Sequence, residues 1–140
     1  MNKLIWSALA ILLFSMSLVF LTFLHGDGGY LESLIVSCTL SAPLIIAFSV
    51  VAMFCRTAVK ENHKLLCKMA TGVFVFTALL HVFWNSFMLL DVVHKGGLGP
   101  AQGYSGLIMW FGSIKFAFFG AFSGIILHYI SLWYKKLVAR

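Results

Sequence analysis

Four long apolar runs, separated by short polar segments, make up most of the chain. A transmembrane helix needs roughly 20 consecutive apolar residues to cross a hydrocarbon core about 30 Å thick, and each run reaches that length. The pattern therefore predicts an all-α membrane protein of one domain, residues 1–140, with four antiparallel transmembrane helices and short loops. The predicted spans cover about residues 4–24, 34–54, 69–90 and 107–134.

Composition supports this interpretation and excludes several classes of protein. Of the 140 residues, 61% are hydrophobic and 10% are charged, whereas average soluble domains are about 25% charged. A water-soluble globule of this composition would expose enough apolar surface to aggregate. Secreted or cytosolic enzymes, disulfide-stabilised mini-domains, nucleic-acid-binding modules and disordered tails are therefore excluded.

Basic residues predict how the helices are oriented. The first run exceeds the ~7–15 apolar residues of a signal peptide and lacks an Ala-x-Ala cleavage site, so we expect it to remain a span. Lys and Arg in short loops favour the cytoplasmic side, and eight of the ten lie on one side, against Lys95 on the other. The chain is thus predicted to be a multi-pass protein of the cell inner membrane with both termini in the cytoplasm. The eight are Lys3, Arg56, Lys60, Lys64, Lys68, Lys135, Lys136 and Arg140.

The segment between the second and third runs is basic and contains two of the three cysteines. These basic residues are candidates to hold anionic lipid headgroups, while the interpretation we favour is that they are ordinary positive-inside anchors. Because the cytosol is reducing, we expect Cys55 and Cys67 to be free thiols that behave as small apolar residues, like Cys38 in the second run. The basic residues recur every four positions: Arg56, Lys60, Lys64 and Lys68.

A group of polar residues followed by a proline lies in the middle of the second run. Proline lacks a backbone N–H and frees an upstream carbonyl, which hydroxyl groups or neighbouring helices can satisfy. The group predicts a kink in the second helix, and its functional alternative is a cavity wall or a hinge. The residues concerned are Ser37, Cys38, Thr39, Ser41 and Pro43.

Small residues line one face of the fourth run. Gly120 and Gly124 form a GxxxG motif, which lets two helix backbones approach closely inside a membrane. The ridge predicts a helix-packing contact, either with another helix of this chain or with a second protein. Its members are Ser113, Ala117, Gly120, Ala121 and Gly124.

Four polar residues lie inside the third and fourth runs, where such groups are costly and mark functional positions. They are His81, Asn85, Lys115 and His128. The fourth run is roughly 42 Å long at about 1.5 Å per residue, so two registers are open. If it is tilted and fully embedded, Lys115 lies about 12 Å below the outer boundary, level with the helix face that His81 and Asn85 share. If the core begins near Phe116, the alternative we favour, Lys115 extends to the outer headgroups.

The second register also brings His81 and His128 to matched depth on adjacent helices. Two imidazoles so placed can ligate a b-type haem, and the small-residue ridge would leave room for the macrocycle. The alternative is that each histidine is hydrogen-bonded to a neighbouring helix and that the protein holds no cofactor.

The predicted outer loops combine glycines with side chains of the types that bind divalent cations. The simpler interpretation is that these polar loops end the helices and remain hydrated. No H-E-x-x-H, G-x-S-x-G, Walker or Rossmann pattern occurs, so we expect no enzyme. The weak metal-ligand candidates are His25, Asp27, Asp91 and His94.

Three functions fit the sequence. The first is a non-enzymatic membrane protein that binds another membrane component, as an accessory subunit of a complex or as an immunity-type protector against a pore-forming toxin, with no nucleic-acid partner. The second is a small oligomeric transporter or channel whose path is lined by Lys115, His81 and Asn85. The third is an electron-transfer subunit that holds haem b between His81 and His128.

Overall fold

Helices and the turns between them account for the described part of the chain. A computed structural model describes residues 3–56, 61–99 and 103–138. A five-residue π-helix, Ile108–Gly112, lies between the last two α-helices. The α-helices are α1 (Lys3–His25), α2 (Tyr30–Leu40), α3 (Ala42–Cys55), α4 (Glu61–Lys95), α5 (Ser105–Leu107) and α6 (Ser113–Val138).

Three continuous helical segments are long and apolar enough to cross a membrane, namely Lys3–His25, Asn62–Lys95 and Ser105–Val138. The pair α2 and α3 meets the same criteria when its two helices are taken together. The prediction of an all-α protein is therefore confirmed for the described residues, which include three helices, or four if the bent pair counts as one, that are long and apolar enough to cross a membrane.

The predicted kink in the second run is confirmed. α2 and α3 are bent by 56° at a break, and Ser41 is the one residue between them. The Ser41 N–H donates to the Ser37 carbonyl, and the Ile45 N–H donates to the Ser41 carbonyl. Pro43 lies in the first turn of α3, where a helix needs no backbone N–H from it. α3 can therefore begin here without losing a backbone hydrogen bond to the proline.

α4 is the central helix of the bundle. It contacts α1, α3 and α6, while α2 packs mainly on α1. An apolar core between α1, α3 and α4 includes Leu12, Leu44, Val51 and Phe74. α6 lies at the edge of the bundle and packs chiefly on α4. The α4–α6 pair contains most of the polar residues that the sequence singles out.

Candidate functional site

The small-residue ridge of α6 lies directly against α4 of the same chain. A Cβ atom added to Gly120 would lie 2.3 Å from the Gly72 carbonyl oxygen, and one added to Gly124 would lie 2.5 Å from the Lys68 carbonyl oxygen. Both glycines are buried, as is Ser113, while Ala117 and Ala121 are half-buried. The ridge is therefore covered within the chain and is not open to a second protein. Sequence analysis missed Gly72, a single glycine inside an apolar run.

Three contacts fix the register between α4 and α6. Gly120 meets Gly72 and Gly124 meets Lys68, while His81 Nε2 lies 3.0 Å from Ser113 Oγ. Residue numbers therefore rise along α4 as they fall along α6. Lys115 lies between Ser113 and Gly120 in sequence, which places it level with about Ala78 of α4.

This register differs from the one favoured by the sequence. By the rise of about 1.5 Å per residue, Lys115 lies roughly 15 Å from the level of Lys68 and roughly 20 Å from that of Asp91. Lys115 is thus level with about the middle of the apolar run of α4. Phe116, the next residue, is therefore not level with the outer end of that run. The two registers differ because the end of α6, residues 125–138, continues beside the basic start of α4, and run length alone does not reveal this.

Lys115 is exposed on the side of α6 that faces away from the bundle. No described residue forms a hydrogen bond or ion pair with its ammonium group. Phe118, Phe119 and Phe122 are exposed beside it, because positions three, four and seven residues along a helix share one face. We call these four residues the outward face of α6.

His81 and Asn85 lie on the opposite side, inside the bundle, and both are buried. His81 contacts Ser113 as described, and Asn85 Nδ2 donates to Ser15 Oγ at 3.2 Å. These side chains therefore join α4 to α6 and to α1. Lys115 does not meet them, so the three residues do not line one path within the chain. Ser15 is a partner that sequence analysis missed, since serine in an apolar run gives no signal of its own.

The haem hypothesis fails on geometry. His81 is nine residues from Gly72 towards one end of the bundle, and His128 is eight residues from Gly120 towards the other. At about 1.5 Å per residue the two imidazoles are separated by roughly 25 Å along the bundle, whereas axial ligands must reach one iron. The space beside the ridge is also filled by the backbone of Gly72. The prediction that His81 and His128 lie at matched depth assumed that the core begins near Phe116, and the α4–α6 register differs from that assumption.

Of the four basic residues that recur every four positions, only Lys64 and Lys68 are described on one helix. Arg56 is exposed just beyond α3, and Lys60 lies outside the described residues. Lys64 and Lys68 of α4 line a pocket of about 210 Å³ together with three polar residues of α6. Lys68 Nζ donates to Ser131 Oγ, and Ser131 Oγ donates to the His128 carbonyl at 2.7 Å. The three residues of α6 are His128, Ser131 and Lys135.

Cys55 and Cys67 form a disulfide, which contradicts the prediction of two free thiols. Their Cα atoms are 4.9 Å apart, within the usual range of about 4.4–6.8 Å. The pairing arises because the end of α3 packs against the start of α4, a contact that an argument from the reducing cytosol does not consider. Cys38 is a free, exposed thiol.

The outer residues proposed as weak metal ligands do not converge. His25 Nδ1 and His94 Nδ1 lie 2.9 Å and 3.0 Å from carbonyl oxygens one turn earlier in their own helices. Asp91 pairs with Lys95 at 2.7 Å. Among the described residues, no group of three or more His, Cys, Asp or Glu side chains is arranged to hold a metal ion. Asp27 instead occupies a positive-φ position in the turn after α1, with φ of 68°.

Comparison with protein families, curated proteins and solved structures finds no match to this chain. Function is therefore inferred from the contacts, burial and charges of the chain itself. Two features of the α4–α6 pair are candidates for contacts with molecules outside this chain. One is the outward face of α6, and the other is the basic pocket at the far end of the same helix pair.

Proposed function

We propose that the chain is a non-enzymatic protein of the cell inner membrane that binds another integral membrane protein through the outward face of α6, as an accessory subunit or immunity-type protein does. The observation that carries this proposal is the position of Lys115. It is exposed on an edge helix, and it lies level with the middle of the apolar run of α4.

In the proposed topology, four antiparallel spans place both termini in the cytoplasm. Eight basic residues then lie on the cytoplasmic side and Lys95 on the other, as the positive-inside rule requires. The Cys55–Cys67 disulfide lies on the same side, and disulfides persist best in oxidising compartments. The two observations favour opposite orientations of the chain. We base the proposed orientation on the charge asymmetry, because it sums over eight side chains in three separate segments.

At the proposed depth, Lys115 is too far from either surface to reach water. The hydrocarbon core is about 30 Å thick, so a residue near its middle is roughly 15 Å from both headgroup layers, further than a lysine side chain extends. A lysine at the centre of a lone span costs about 2.5–3.5 kcal/mol. Ionisable residues in spans usually face a bundle interior or a partner charge. Because Lys115 faces outward, only another molecule can provide that partner charge.

The partner is expected to be a different protein rather than a second copy. The chain has four acidic residues, and all of them lie at span ends or in loops, so a second copy offers no carboxylate at the depth of Lys115. A transmembrane helix with a mid-span Asp or Glu would pair with the ammonium group and pack its side chains between the exposed phenylalanines. The four acidic residues are Asp27, Glu32, Glu61 and Asp91.

The test is a charge exchange between Lys115 and the partner. Lys115→Glu should weaken co-purification from native membranes by more than about thirtyfold, because breaking a desolvated charge pair costs at least about 2 kcal/mol. Lys136→Glu, on the exposed end of the same helix, is the matched control and should bind normally. Replacing the mid-span carboxylate of the captured protein with lysine should then restore binding to Lys115→Glu. Equal capture by wild type and Lys115→Glu would refute the proposal.

A further inference from the structure

We infer that the pocket between the basic ends of α4 and α6 binds a phosphoryl group, the anion that phospholipid headgroups and soluble phosphates share. The α6 residues of this site, His128 to Lys135, lie roughly 20–30 Å along the helix from Lys115, at about 1.5 Å per residue. The site is therefore independent of the protein contact proposed above.

Positive charge converges on this pocket from two helices. Lys64 and Lys68 reach it from α4, and Lys135 reaches it from α6. None of the described side chains that line it is acidic. Lysine side chains from both helices make this cavity electrostatically favourable for an anion. The residues are far apart in sequence, so the site depends on the α4–α6 register and is more than a basic stretch of chain.

His128 provides a second, independent indication of a ligand. Only 7% of the residue is exposed, and its Nδ1 atom has no hydrogen-bond partner among the described residues. Buried polar atoms nearly always have a partner, and an exception calls for an ion, water or ligand. An imidazole N–H donates to phosphoryl oxygens, as do the ammonium groups of the three lysines.

The size and composition of the pocket suit a small amphipathic ligand. Its volume of about 210 Å³ is below the ~300–1,000 Å³ typical of sites for drug-sized molecules. Cys67 and Leu132 add apolar wall beside the lysines. Lys68 marks the end of the apolar run of α4, which is where headgroups meet water in the proposed topology. Basic pockets between transmembrane helices at this level bind anionic headgroups in other proteins.

The experiment compares the wild-type protein with three variants in nanodiscs of phosphatidylcholine containing a minor fraction of phosphatidylglycerol. Native mass spectrometry counts the phosphatidylglycerol retained by each protein. Lys68→Gln/Lys135→Gln should bind about thirtyfold more weakly than wild type, at about fivefold per lysine. Lys135→Gln alone should lose about fivefold, and because Lys135 is exposed this variant should keep the wild-type fold. The matched control Lys136→Gln, one residue away and outside the pocket lining, should retain as much lipid as wild type.

A second arm identifies the source of the phosphoryl group. Inorganic phosphate is titrated calorimetrically into the protein in pure phosphatidylcholine nanodiscs. Binding of phosphate there, with no selective retention of phosphatidylglycerol, assigns the site to a soluble phosphate, and the reverse pattern assigns it to a lipid headgroup. If the wild type binds neither, or if Lys135→Gln and Lys136→Gln bind equally, the inference is overturned. Binding of a phosphoryl group is independent of the capture of a partner protein through Lys115. The pocket variants should therefore capture that partner as well as wild type does.

Discussion

Single polar side chains hold the helices of this bundle together from within. Asn85 donates to Ser15 across the α4–α1 contact, and Ser37 Oγ donates to the Met16 carbonyl at 2.8 Å across the α2–α1 contact. Inside a membrane, where lipid removes the hydrophobic drive for helix association, such bonds and close packing are the main attractive terms. The same residue types that suggest a transport path in the sequence therefore serve as interhelical links in the structure.

The Asn85–Ser15 bond makes a measurable prediction at this scale. A double-mutant cycle with Asn85→Ala and Ser15→Ala should give a coupling free energy of about 0.6 kcal/mol, the average for hydrogen bonds between membrane helices. The free energy of unfolding is measured in mixed micelles by titration with sodium dodecyl sulfate. A coupling of zero would mean that the two side chains do not interact.

Among the elements, the pairing of α4 and α6 determines where every candidate site lies. Gly72, Gly120 and Gly124 bring the two backbones into contact, and the resulting register separates His81 from His128 and moves Lys115 to the middle of the apolar run. α6 has little other support within the chain, because only Ser113, Gly120, Gly124 and His128 of its residues are buried.

Gly120→Ala tests this contact. The added Cβ would lie 2.3 Å from the Gly72 carbonyl oxygen, so the helices must separate, and overpacking of this kind costs about 1–3 kcal/mol. The matched control is Gly103→Ala, because a Cβ there has nothing within 4 Å. The same denaturant titration gives both values. A Gly120→Ala protein as stable as Gly103→Ala would show that this backbone contact is absent.

At the level of the whole molecule, hydropathy predicts the helices well and their mutual placement poorly. The apolar runs and the proline after Ser41 define the spans and the bend, because crossing a bilayer imposes a length and a proline alters local hydrogen bonding. The register between two helices depends on which small residues meet, and Gly72 is the single glycine of the third run that indicates it. The π-helix Ile108–Gly112 has no signal in the hydropathy pattern, and the Cys55–Cys67 bond depends on the packing of α3 against α4.

Reporter fusions test the proposed orientation of the whole chain. Alkaline phosphatase, which is active only outside the cytoplasm, should be inactive when fused after Arg140 and active when inserted at Gly97, in the loop after α4. We expect this result because eight basic residues lie on the side of the termini. The opposite pattern would place the basic ends, with the Cys55–Cys67 disulfide, in the oxidising compartment.

The most direct test of the central claim, that the outward face of α6 is covered by another membrane protein, is photo-cross-linking in intact cells. A photoreactive amino acid at Phe118 should give one discrete cross-linked protein product, and Lys115→Leu should abolish it. The same probe at Phe14, an exposed apolar position of α1, should give no such product and serves as the control. Cross-links to lipid alone at Phe118, or a product that persists in Lys115→Leu, would contradict the account.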